Sequence, residues 1–100
     1  MQTEPTLLLS RSDAEQLLSI SECMDAIEEA FRSLGEGKIS SPGILSVKTA
    51  NGSLHVKTAS FTTDRKYIVA KLNTNFPINR TRLGLPTIQG VILLDRKSVV

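Results

Sequence analysis

An α+β fold is predicted for this sequence, with two N-terminal helices packed on a mixed or antiparallel sheet. Three observations carry the prediction. Apolar residues in the first third recur at three- and four-residue steps, the period of a helix. After "SSPG" the period shortens to two, the alternation of a strand. Asn51-Gly52 then divides two alternating runs, the pattern of a β-hairpin.

The elements follow in order. Ser12-Asp13-Ala14-Glu15 has the Ser-x-x-Glu form of a capping box and predicts a short helix carrying Leu17 and Leu18. Ser21 is placed to cap a second helix, in which Met24, Ile27, Phe31 and Leu34 form one stripe. Glu22, Asp25, Glu28 and Glu29 occupy the remaining surface near the positive end of the helix dipole, and Gly35 and Gly37 follow as stop signals. Strands are expected over 44–50 and 53–60, joined by a type I′ turn at Asn51-Gly52, since both residues tolerate positive φ. A turn over 62–65 leads to a strand over 67–74. The stretch "NFPINRTRLG" reads as a loop, and a last strand covers 87–94.

Bulk properties exclude several function classes. Apolar residues make up 40% and charged residues 22%, the balance of an ordinary globular chain. A formal net charge of +2, with basic residues scattered among acidic ones, does not point to nucleic acid. No run approaches the roughly 20 apolar residues of a membrane span. The N-terminus lacks a basic region before Leu7-Leu8-Leu9, so no secretory signal is read there, and the cytoplasm is the expected location. One cysteine and one histidine argue against a disulfide scaffold or a histidine-rich metal site. Cys23 reads as a half-buried helix residue rather than a nucleophile, because no general base can be identified beside it.

Two lysines stand out on strands. In "LHVKTAS", Leu54 and Val56 share one face, while His55, Lys57 and Ala59 share the other. In "YIVAKLNT", Ile68, Ala70 and Leu72 share a face, and Tyr67, Val69, Lys71 and Asn73 lie opposite. A lysine inside so apolar a strand can hold a carboxylate or move a proton. It can instead be an edge-strand lysine that discourages aggregation, or a solvated one, and the pattern alone favours that reading, more strongly for Lys57 than for Lys71. His55 reads as a solvated or satisfied strand histidine. Asn73, Asn75 and Asn79 around Pro77 can bind a ligand through their amides or cap their own turn. Gly84 and Pro86 are explained by turn chemistry, whereas Thr87 at the base of the next strand is not. Neither a G-x-G-x-x-G nor a Walker motif occurs.

Taken together, "LLLSRSDAEQLLS", "AIEEAFRSLGEGKISSP", "NGSLHVKTA", "VAKLNTNFP" and "GLPTIQGVILL" resemble the start of the ornithine cyclodeaminase/mu-crystallin family. Their order and spacing carry the match, which covers nearly all of the chain. The resemblance implies an N-terminal substrate-binding and dimerisation domain, incomplete over 1–94, from a soluble, homodimeric NAD- or NADP-dependent enzyme of amino or imino acids. Such enzymes cyclise ornithine with loss of ammonia, dehydrogenate alanine or reduce ketimines. The resemblance also makes Lys71 the catalytic lysine, puts Lys57 close to the substrate, and sets Thr87 on the cofactor side of the cleft. No metal is implied.

Two departures shape the expectation. Where the family commonly carries a carboxylate-gripping arginine after its proline, this chain has Gly43 after Pro42. Either Lys57 takes that role or the substrate differs. No Rossmann domain is present, and 95–100 are expected to be a non-matching tail. The chain is therefore expected to be a fragment that binds the dinucleotide poorly by itself. A non-catalytic dimerisation or binding module is the alternative.

Overall fold

A computed structural model describes residues 5–40, 43–62 and 65–97. The element order is α1 (Arg11–Leu17), α2 (Ile20–Gly35), β1 (Gly43–Lys48), β2 (Ser53–Thr62), β3 (Lys66–Asn75), α3 (Ile78–Arg82) and β4 (Ile88–Lys97). The α+β class is as expected, and the sheet is antiparallel throughout, in the order β1-β2-β3-β4. The chain divides into two units, Met1–Ser33 and Leu34–Val100.

In the helical unit both caps lie two residues before the expected positions. Ser10, not Ser12, caps α1. Its hydroxyl accepts from the Asp13 amide at 3.1 Å, and its own amide donates to Asp13 Oδ2 at 2.8 Å. A related exchange occurs at Ser19, not Ser21, where the hydroxyl accepts from the Glu22 amide at 3.1 Å and donates to Glu22 Oε1 at 3.0 Å. In both cases a Ser-x-x-acid spacing satisfies amides that the first turn leaves free. At Asp13, hydrogen bonds to the carboxylate from the Ser10 amide and then from the Ser10 hydroxyl favour the ionised form and hold the carboxyl below the usual range. Toward the end of α2, Arg32 pairs with Glu29 at 2.8 Å and Glu28 at 3.5 Å, a cation where the dipole favours one. Cys23 is half-buried in α2, and the stripe of Met24, Ile27 and Phe31 is exposed.

The sheet unit corrects three expectations. The β1–β2 connection is a four-residue loop, Thr49–Gly52, not a two-residue type I′ turn. Neither Asn51 nor Gly52 has positive φ. Thr49 closes the loop by donating to the Gly52 carbonyl from its amide at 2.8 Å and its hydroxyl at 3.0 Å. Gly52 is needed for space instead. A Cβ there would meet the Asn75 carbonyl oxygen and lie 2.6 Å from Cδ1 of Phe76. The stretch expected to be a loop contains α3, and β3 runs on to Asn75. Strand β4 extends three residues past Leu94, pairing Asp95, Arg96 and Lys97 with Ile68, Tyr67 and Lys66. Part of "SSPG" and of the 62–65 turn lies outside the described residues.

The register sorts the side chains into two faces. One is apolar, with Leu45, Val56, Leu72 and Val91 in a single row across all four strands. On it Leu45 is 59% exposed and Leu93 57%. No apolar side chain among the described residues is fully buried. The other face carries the lysines.

Candidate functional site

Lys57 and Lys71 are direct partners across β2 and β3, in the row Ile44–Lys57–Lys71–Ile92. Strands β2 and β3 are the two central strands, so neither lysine protects a sheet edge. The edge-strand half of that reading is thereby overturned, whereas a solvated lysine is consistent with the exposure of both side chains. Opposed residues of an antiparallel pair bring their Cβ atoms to about 4.5–5.5 Å, close enough for both ammonium groups to reach one small anion. Both side chains are exposed, and neither makes an ion pair or hydrogen bond among the described residues.

The charge on this face has one sign. Lys48, Lys57, Lys71 and Arg96 point into it, and no carboxylate does among the described residues. Like charges directly opposed in a sheet destabilise it. The arrangement is therefore unfavourable for the empty sheet and favourable for an anion placed between the lysines.

One row along, Ser46, His55, Asn73 and Gly90 are aligned. Both imidazole nitrogens of His55 are engaged, Nδ1 with Ser46 Oγ and Nε2 with Ser53 Oγ, each at 3.1 Å. Serine hydroxyls donate or accept, so the ring is held in either tautomer. His55 is thus the satisfied strand histidine expected, with its ring fixed two residues from Lys57. A further row brings Asn75 opposite Ser53 and Ile88. The Oδ1 of Asn75 is buried without a hydrogen-bond partner among the described residues. A buried amide oxygen in that state favours a donor from outside the sheet.

Sequence reasoning missed Asn75 as a member of this face because it ended the strand at Thr74. The signal was available: Lys71, Asn73 and Asn75 fall at alternate positions, and a strand extended by one residue puts all three on one side. Asn79 belongs elsewhere. Its amide donates to the Pro86 carbonyl at 3.2 Å, and its own carbonyl accepts from the Leu85 amide at 3.1 Å. These bonds shape the Leu83–Pro86 turn, in which Gly84 takes φ +66°, a value that favours glycine.

Thr87 leaves that turn half-buried, and its carbonyl accepts from the Phe76 amide at 2.8 Å. The following residue, Ile88, stands four residues from Ile92, the partner of Lys71. Thr87 and the lysine row are therefore separated by roughly 13 Å or more along the strand. The structure brings Lys57 and Lys71 together and sets Thr87 at the far end of the same sheet. Gly43 pairs with Thr58, and a Cβ there would lie 3.1 Å from Thr58 Oγ1. Position 43 thus belongs to the face opposite the lysines.

No three His, Cys, Asp or Glu side chains among the described residues could jointly hold a metal. No helix among them is long and apolar enough to cross a membrane. The chain has no glycine-rich strand–turn–helix to seat a pyrophosphate. Its residues therefore do not fit a whole dinucleotide.

An antiparallel sheet presenting paired lysines on its central strands, preceded by two capped helices, matches the N-terminal domain of a larger enzyme. Residues 4–99 match the model of the ornithine cyclodeaminase/mu-crystallin family, and the chain belongs to that family. It is 32% identical over 90 residues to an alanine dehydrogenase of Archaeoglobus fulgidus, covering 90% of this chain and 27% of that protein. A solved structure described as an archaeal alanine dehydrogenase dimer with bound NAD superposes with a TM-score of 0.82 at 32% identity. That match covers 91% of this chain and 27% of the other. The chain thus spans about a quarter of the length of these relatives.

Proposed function

We propose that this chain forms the substrate-side wall and the subunit contact of an NAD- or NADP-dependent enzyme acting on a small amino or imino acid. One observation carries the reading: Lys57 and Lys71 are opposed on the two central strands, on a face without a carboxylate among the described residues. Lys57 holds the substrate carboxylate. Lys71, directly beside it, faces the adjacent α-carbon and its nitrogen and manages the proton there. Thr87 marks the cofactor side. The dinucleotide is carried by another part of the enzyme, and nicotinamide supplies the hydride chemistry. The exposed apolar side chains Leu45, Val91 and Leu93 fit a contact with a second subunit.

The test is steady-state kinetics of the complete enzyme. Lys71→Ala lowers kcat by roughly 10²-fold or more, the scale of losing a positioned proton-transfer group. Lys57→Ala chiefly raises KM, because a carboxylate contact is made in the ground state and transition state alike. Circular dichroism controls for folding. A Lys71→Ala enzyme with near-normal kcat removes the proposed mechanism.

A further inference from the structure

The two directions leading away from the lysine row differ in chemistry. Toward Thr87 the face is polar, with His55 and Asn73 in one row and Asn75 in the next. In the other direction the next row is Ala59–Val69–Leu94, and the row after it contains Phe61 and Tyr67. The Phe61 and Tyr67 rings stack with centroids 5.0 Å apart and planes 17° from parallel. Ile39, bridged to Phe61, extends this apolar end beyond β2. Arg96 closes the row of Tyr67, and no strand position of this face at this end is a carboxylate.

A substrate seated on the lysines has its side chain to place. If the cofactor approaches from the Thr87 end, the open direction runs over Val69 toward the rings. Rows on one face are separated by about 6.6–6.8 Å, so a side chain of three or four methylenes starting at the lysine row reaches toward Val69. From this juxtaposition of a cationic row and an apolar row, and resting on the functional reading above, we infer a substrate class. The site takes an amino or imino acid with an aliphatic or aromatic side chain and disfavours one whose side chain ends in a cation. A second ammonium group finds Arg96 and the lysines there, and no acid on the strand positions of this face to pair with. An apolar chain covers Val69 and Leu94, the latter 63% exposed.

Norleucine and ornithine test this cleanly, because their side chains are nearly isosteric and only one ends in a charge. The 100-residue chain, labelled with 15N, is titrated with each and followed by amide shifts. Norleucine is expected to shift Lys57 and Lys71 together with Ala59, Val69 and Leu94. Burial strengthens binding by roughly fourfold per apolar carbon covered, and the two side chains differ by one terminal methyl against an ammonium, so norleucine should bind at least about fourfold more tightly than ornithine. Val69→Glu supplies the missing carboxylate and should reverse the order. Ala59→Glu, in the same row on β2, serves the same purpose if the first variant does not fold. Equal affinities, or norleucine shifts running toward Asn73 and Asn75, overturn the inference and leave the lysine reading standing. Absence of shifts at Lys57 and Lys71 with either ligand overturns both.

Discussion

The opposed lysines make a prediction about stability that needs no substrate. Lys57→Met and Lys71→Met each remove a charge while keeping an unbranched stem of similar length. With the ammonium groups about 7 Å apart and screened as in water, their repulsion is about 0.6 kcal/mol. That lies within the roughly 0.2–1 kcal/mol that opposed cross-strand pairs contribute. A double-mutant cycle on urea unfolding, followed by circular dichroism at low ionic strength, should therefore return an unfavourable coupling of about this size. Screening gives the second half of the test. At 1 M salt the Debye length is about 3 Å, and the coupling should fall below about 0.1 kcal/mol. A coupling that is zero or favourable at low salt, or one that persists at 1 M, refutes the placement of these two side chains against each other. Confirmation would mean that the sheet carries a destabilising pair whose compensation is a bound anion.

Other outcomes follow from the same geometry. Gly52→Ala should destabilise the sheet by about 1–3 kcal/mol, the usual scale of overpacking, because its Cβ overlaps the Asn75 carbonyl and the Phe76 ring; chemical denaturation reads this directly. Asp13 has its carboxyl held low by Ser10, so its contribution to α1 is complete above the ordinary aspartate range and is lost as pH falls through the lowered value. The Cα and Cβ shifts of residues 11–17 should report that loss in the native chain and not in Asp13→Asn. With Leu45 and Leu93 more than half exposed, the chain alone should self-associate, and light scattering showing a monomer at high concentration would contradict this. Incubated with NAD(H) or NADP(H) and a panel of amino and imino acids, it should show no turnover, because nothing in it orients a nicotinamide.

Periodicity alone determined the class of fold and the side of each strand. The alternation in "LHVKTAS" and "YIVAKLNT" put His55, Lys57 and Ala59 on one face, and Val69, Lys71 and Asn73 on one face, and the structure keeps both groupings. Such groupings are local, since successive strand residues point to opposite sides whatever the partner strand does. Cap positions were also local, and the spacing Ser10-x-x-Asp13 was present to be read. The tertiary structure decided what depends on pairing. Lys57 meets Lys71 only because β2 and β3 are adjacent in that register, and both are central only because β1 and β4 flank them. A one-residue slip would move each lysine to the apolar face of its neighbour, and no pattern within a single strand encodes that choice. The role of Gly52 is likewise tertiary. Its neighbours are Asn75 and Phe76, more than twenty residues away, and the backbone freedom suggested by Asn51-Gly52 is not what the fold uses. Chemistry at this site therefore rests on residue types that the sequence displays and on a juxtaposition that only strand pairing creates.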